Sequence, residues 1–183
     1  CPYMCFLLKS FFDVAFVTEA NLDEFRGQFP WSRAMDDYNS GIFGNHGFRG
    51  SQREILNATM LKRDVLVLMP TGGGKSLCYQ LSALMTPGVT IVISPLVSLI
   101  KDQVSQLTAM GIKATALAGG TDSGEIISAM SELGRLSRNG FNPDDKQALR
   151  MVYVTPEKVG QSGSFQGLLR SLYERICDVK GEQ

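Results

Sequence analysis

The stretch Val65-Leu66-Val67-Leu68-Met69-Pro70-Thr71-Gly72-Gly73-Gly74-Lys75-Ser76 constrains this chain more than any other. A short apolar run, read as a buried strand over Asp64–Leu68, stops at three successive glycines, and helical spacing resumes over Ser76–Met85. Consecutive glycines are entropically costly to order, so a loop built from them is shaped around something it holds. With no side chains in the way, the backbone N–H groups of Gly72, Gly73 and Gly74 can turn inward as an anion nest at the head of a helix. Lys75 would reach the β- and γ-phosphates of a nucleoside triphosphate, and the Ser76 hydroxyl would ligate Mg²⁺. The plain alternative is a glycine-rich turn followed by an incidental Lys-Ser. A strand before the loop and a helix after it argue against that alternative.

The rest of the chain alternates in the same way. Gln52–Leu61 carries apolar residues at helical spacing. Val89–Ile93 is β-branched almost throughout and reads as a strand buried on both faces. The helix Leu96–Met110, a weaker strand Ala114–Leu117, the helix Glu125–Leu136, a strand Met151–Val154 and a last helix Phe165–Cys177 follow, with a polar connector over Ser137–Lys146. Strand and helix alternating four times predict a parallel sheet covered by helices, with ligands bound beyond the carboxyl ends of the strands. Residues 1–41 read as a lead-in, mixed and polar after Asn21. Its first seventeen residues are broken by Lys9 and Asp13, too short for a membrane span, and without the form of a signal peptide. The first residue is not Met, so the sequence reads as a piece of a longer chain.

Composition narrows the function. Eighteen basic and eighteen acidic residues cancel over 183 residues, which excludes a polybasic binder, and the 44% hydrophobic content supports a real core. From Ile42 to Lys113, however, seven Lys/Arg face three Asp/Glu, whereas the residues before 42 have three against six. A phosphate-binding surface would therefore be local to the middle segment. Four cysteines make no CxxC pair, so reduced thiols fit better than a disulfide framework or a zinc site. The single histidine, His46, has no partner for an HExxH site and reads as a loop residue.

Several segments together resemble the RecQ family of DNA helicases, its Bloom-type and plant members most of all. "FGNHGFRGSQREI" (Phe43–Ile55) resembles the family's adenine-recognition motif. "MPTGGGKSLCYQL" resembles its nucleotide loop, with Met69 where the general phosphate-loop pattern has glycine. "VTIVISPLVSLIKDQV" (Val89–Val104), "YVTPEK" (Tyr153–Lys158) and "LYER" resemble later family segments, and the likeness runs from about Phe29 to Arg175. The fold it implies is α/β, a parallel-sheet P-loop NTPase: a RecA-like helicase lobe, partial over residues 42–183.

The resemblance implies roles residue by residue. Lys75 and Ser76 would be catalytic. ATP would be held by Arg49, Gln52, Thr71, Gly72, Gly73, Gly74, Lys75 and Ser76, with Mg²⁺ on Ser76. Gln52, a helix-surface glutamine on any other reading, would offer both an amide donor and an acceptor to adenine. Arg49 would hold a phosphate or the adenine face, or else form a surface ion pair. Ser94, Pro95, Ser98, Gln103, Thr155, Pro156 and Glu157 would contact DNA at strand ends without reading sequence, although Ser94 and Thr155 also read as helix caps. Lys101 would add charge. Asn45 stands where some relatives have an aromatic residue, and Ser82 where they have proline. The implied partners are single-stranded DNA and duplex junctions, reached through the full-length protein, with no membrane; the implied location is nuclear.

One part of the pattern is missing. The resemblance implies an Asp-Glu-Ala-His box after "LYER", where this sequence reads "ICDVKGEQ", and no Asp-Glu pair follows the loop. The 183 residues alone are expected to bind ATP weakly at best and not to unwind DNA. A non-catalytic module that binds nucleotide or nucleic acid stays open, as does a P-loop transferase. The latter explains the loop but neither Gln52 nor "SPLVSLIKDQ". A GTPase is disfavoured by the lack of an Asn-Lys-x-Asp motif.

Overall fold

A computed structural model describes residues 14–15, 22–142, 145 and 147–181, with side chains described over 23–142, 145 and 147–174. The reading of the first seventeen residues as a packing segment falls outside these residues, apart from the backbone of Val14–Ala15. So do Pro143, Asp144 and Lys146 of the polar connector, and the side chain of Asp178. The chain divides into two compact units between Thr86 and Pro87.

In the unit after Pro87, three four-residue strands form a parallel sheet: β3 (Thr90–Ile93), β4 (Ala114–Leu117) and β5 (Met151–Val154), in the order β3-β5-β4. Both ladders use all four residues of β5, Met151 facing Thr90 on one side and Ala114 on the other. This placement corrects the sequence reading of Val89–Ile93 as the strand buried on both faces. Of β3 only Val92 is fully buried, whereas Met151, Val152, Tyr153 and Val154 are all buried. The cause is the order: β5 has a neighbour on each side, and β3 has one among the described residues.

The helices of this unit begin and end for local reasons. α4 (Val97–Ala109) is followed by Gly111 at φ +76°. α5 (Ser123–Asn139) begins where the Asp122 carboxylate accepts from the N–H groups of Gly124 and Glu125, and it ends at Gly140, φ +80°. It takes in the first residues of what the sequence presented as connector. Thr155 caps α6 (Pro156–Gln161), whose first residue is proline, where a missing N–H costs nothing. The capping role read for Thr155 thus has its helix, one to which the sequence had given no bounds. It runs almost directly into α7 (Gly163–Gly181). Leu117, Ala129, Leu133, Leu149, Val152, Val154 and Phe165 form the core. Truncating a buried leucine such as Leu133 would cost about 2–5 kcal/mol.

The unit up to Thr86 contains α1 (Ser32–Gly41), α2 (Gln52–Met60) and α3 (Lys75–Met85), with a 3₁₀ turn at Leu22–Phe25. Met35, Leu56 and Leu81 are its buried centre, flanked by Trp31, Phe43, Phe48 and Met85. Within the lead-in, residues 22–41 are folded structure, since Phe25 and Met35 are both buried. The strand read over Asp64–Leu68 shortens to β2 (Asp64–Val65), paired in parallel with β1 (Val14–Ala15). Leu66 and Leu68 are 53% and 77% exposed. Beyond Val65 no ladder partner is found among the described residues, so the apolar run continues without the hydrogen bonds that make a strand. No described helix is long and apolar enough to cross a membrane.

Candidate functional site

The glycine loop is built by two left-handed residues. Gly73 N–H donates to the Pro70 carbonyl at 3.0 Å, and Gly72 sits at φ +81°. That is a type II turn, whose third position requires positive φ. Gly74 is left-handed too (φ +80°, ψ 28°) and forms the N-cap of α3, with no side chain capping the helix. A Cβ on Gly73 would meet the Pro70 oxygen at 3.0 Å, and one on Gly74 would meet Gln52 Nε2 at 2.2 Å. The loop is thus a backbone cradle at an uncapped helix start, the setting in which N–H groups and the helix dipole favour an anion. Lys75 folds over it: its ammonium donates to the carbonyls of Met69 at 2.7 Å and Pro70 at 2.9 Å. Ser76 follows on the first turn of α3, half-buried.

Gln52, the first residue of α2, is 2% exposed and binds the loop directly. Its Nε2 donates to the Gly74 carbonyl at 3.1 Å, and its Oε1 accepts from the Arg49 N–H at 2.7 Å. A primary amide has two N–H groups and two lone pairs. One of each remains, which is what a purine edge with an amine and a ring nitrogen requires. The Arg49 guanidinium is exposed and makes no ion pair among the described residues. A cavity of about 370 Å³ lies between Arg49–Ser51 and Met69, Pro70 and Gly73, with Ile55 and Leu66–Leu68 completing its walls. The structure therefore brings together Arg49, Gln52, Gly72–Gly74, Lys75 and Ser76, and places Thr71 exposed on the turn.

These residues fit a triphosphate: backbone donors, a cation held at the loop and room beside them. For Mg²⁺ they offer one oxygen, the Ser76 hydroxyl, and the described residues hold no cluster of three or more acidic, histidine or cysteine ligands.

Asn45 closes a loop of its own. Its side chain donates to Asn39 Oδ1 at 2.9 Å and its N–H to the Asn39 carbonyl at 3.0 Å, closing the loop after α1. Ser82 is buried and donates within its own helix to the Tyr79 carbonyl.

The residues assigned to DNA all lie in the other unit, and they divide by exposure. Pro95, Ser98, Pro156 and Glu157 are exposed, as is Lys101, while Ser94, Gln103 and Thr155 are buried. Ser94 does not cap α4. Its hydroxyl accepts from the Leu96 N–H at 3.4 Å, and Leu96, the N-cap residue, has no side-chain bond. Thr155 does cap, accepting from the Lys158 N–H. Thr155 and Glu157 line a cavity of about 470 Å³ with Gly119, Lys158 and Gln161. Lys158 and Gly119 were not singled out from the sequence; the basic residue directly after "TPE" and the paired glycines of "AGG" were the available signals.

Cys78 lies two residues past Ser76. It is 4% exposed, and burial pushes its thiol up from 9.0 to about 11, opposed by a backbone hydrogen bond. Only the thiolate reacts, so native protein at pH 8 should resist iodoacetamide at Cys78 and label fully once unfolded. Because the folded value is the higher one, the associated stability is complete below about 9 and is lost as pH climbs through about 11.

A glycine-rich loop at a helix start, the glutamine bonded to it and a parallel α/β sheet define a class, and comparison places the chain within it. A description of DEAD/DEAH box helicases matches residues 49–173, more than half of the sequence, and the chain belongs to that family. It is 50% identical over 144 residues to the ATP-dependent DNA helicase Q-like 4B of Arabidopsis thaliana, covering 79% of this chain and 12% of that protein. It is 45% identical over 154 residues to the RecQ-like DNA helicase BLM of Xenopus laevis (84% and 11%). Identity to the ATP-dependent DNA helicase Q1 of Rattus norvegicus is 40% over 146 residues (80% and 22%). The matches thus span between 11% and 22% of the length of these relatives, and they bear out the RecQ resemblance read from the motifs.

Proposed function

We propose that this chain is the nucleotide-binding part of an ATP-driven DNA helicase of the RecQ type, moving 3′ to 5′ on single strands and at duplex junctions in nuclear repair and recombination. The observation that carries this reading is the Gln52 amide bridging the Arg49 N–H and the Gly74 carbonyl. That bridge ties a base-reading residue to the phosphate loop. The named activities of the relatives support it, as do the exposed Pro95, Ser98, Pro156 and Glu157 at strand ends.

In this reading the N–H groups of Gly72–Gly74 and the Lys75 ammonium hold the triphosphate, and the two remaining valences of Gln52 meet adenine. Arg49 closes the base or phosphate side. Mg²⁺, held in part by Ser76, would neutralise charge between the β- and γ-phosphates.

The test is strand separation of a 3′-tailed duplex by the full-length protein, with ATP and with GTP. Gln52→Ala should raise KM for ATP roughly tenfold, the value of one or two lost hydrogen bonds, and narrow the preference for ATP over GTP, with DNA affinity nearly unchanged. A KM that does not move removes the nucleotide role of Gln52. An equal loss for both nucleotides confines that role to the loop. Unwinding that proceeds without nucleotide overturns the helicase reading.

A further inference from the structure

Two buried amides hold α2. Gln52, at its first residue, grips the nucleotide loop; Asn57, 0% exposed, grips the chain upstream. Asn57 Oδ1 accepts from the Trp31 indole N–H at 2.9 Å, and its Nδ2 donates to the Phe25 carbonyl at 2.8 Å. Trp31 is itself fixed, stacked on Phe29 with ring centroids 5.1 Å apart and planes 8° from parallel. Packing alone does not call for an amide here, because a leucine would fill a similar volume with no polar group to satisfy. An amide between a single-direction indole donor and a fixed carbonyl is satisfied at one rotation of α2 about its axis. The same rigid helix carries Gln52 roughly 7.5 Å away, at 1.5 Å per residue. The rotation that satisfies Asn57 therefore also decides where the Gln52 amide meets Gly74.

We infer that Asn57 is a positioning residue for the nucleotide loop, and that the segment Phe25–Trp31 is the anchor it works from. The inference rests on the reading of the loop as the triphosphate site and adds to it a control point outside that site. Both side-chain hydrogen bonds of Asn57 go to the upstream segment and neither to the loop, so it acts through Gln52. Displacements of about 1 Å from remote substitutions can cost on the order of a hundredfold in activity, so a modest turn of α2 suffices.

The experiment is a double-mutant cycle on ATP affinity in the full-length protein, with melting temperature recorded for each variant. Asn57→Leu keeps the volume and removes both hydrogen bonds. Trp31→Phe keeps the stack on Phe29 and removes only the indole donor, so it stays informative if Asn57→Leu folds poorly. Each should weaken ATP binding by about tenfold, raising KM while saturating turnover stays near wild type. In a Gln52→Ala background each should add less than about twofold, because the path through Gln52 is already cut. Losses that simply add, or a lowered melting temperature with ATP affinity unchanged, would reduce Asn57 to a packing residue and overturn the inference. Lys75→Ala run in parallel separates the two failures. Undiminished ATP binding there removes the loop reading and the positioning role with it. Lost binding there, with unchanged binding in Trp31→Phe and Asn57→Leu, removes the positioning role alone.

Discussion

Alanine at position 75 is expected to abolish DNA-stimulated ATP hydrolysis by the full-length protein, with turnover falling on the order of a thousandfold, as for loss of a preorganised charge at a reacting group. The Lys75 ammonium is held 2.7 and 2.9 Å from two loop carbonyls, so it waits at the loop with its charge already positioned. A triphosphate offers that cation stronger, charged acceptors at little rearrangement. Folding should be nearly indifferent, because the bonds lost are to the half-exposed carbonyl of Met69 and the exposed one of Pro70, which water can satisfy. The melting temperature should thus stay close to wild type while hydrolysis, measured with and without single-stranded DNA, disappears. Retained turnover would mean that the loop does not grip phosphate through this residue.

Gly74→Ala should be the most damaging substitution in the loop for stability. At φ +80° an alanine adopts a backbone conformation that costs about 1–2 kcal/mol. Its Cβ would also lie 2.2 Å from Gln52 Nε2, so the amide must leave. That strands the Arg49 N–H and the Gly74 carbonyl, each worth about 1 kcal/mol or more as an unmet partner. Gly72→Ala is the internal comparison: φ is +81°, but nothing lies within 4 Å of its Cβ, so only the strain applies. Denaturant unfolding should place Gly74→Ala about 2–4 kcal/mol below wild type and Gly72→Ala about half as far. Adding Gln52→Ala to Gly74→Ala should recover part of the loss. Equal destabilisation by the two alanines would show that the Gln52 contact contributes nothing.

How far the sequence could be read depended on whether a signal was local. The loop, its flanking helix and the strand and helix alternation are local patterns, and α3, α4 and β5 fall within a residue or two of their expected bounds. Position within the sheet is not local. β-branched content in Thr90–Ile93 looks like a central strand, yet pairing with Met151–Val154 alone decides the matter, and only the fold supplies that. The same blindness affected Asp64–Leu68, whose apolar run implied burial that Leu66 and Leu68 do not have. Residues 22–41 looked like a lead-in because their apolar side chains are sparse, but Phe25 and Met35 are both buried. Among candidate site residues, the family resemblance pointed to Gln52 but could not reveal that both ends of its amide already serve the backbone. Asn57 was legible only as one polar residue within the helix Gln52–Leu61, a hint with no partner attached.

The order of the three-stranded sheet has a consequence for synthesis. Its middle strand is the last of the three to leave the ribosome, so Thr90–Ile93 and Ala114–Leu117 emerge with no ladder to join. Until Met151–Val154 clears the exit tunnel, the helices between them have nothing flat to pack on, and the nascent polypeptide carries two short sticky segments in waiting. Translational pausing before that point should prolong exposure to chaperones, whereas pausing after it should not.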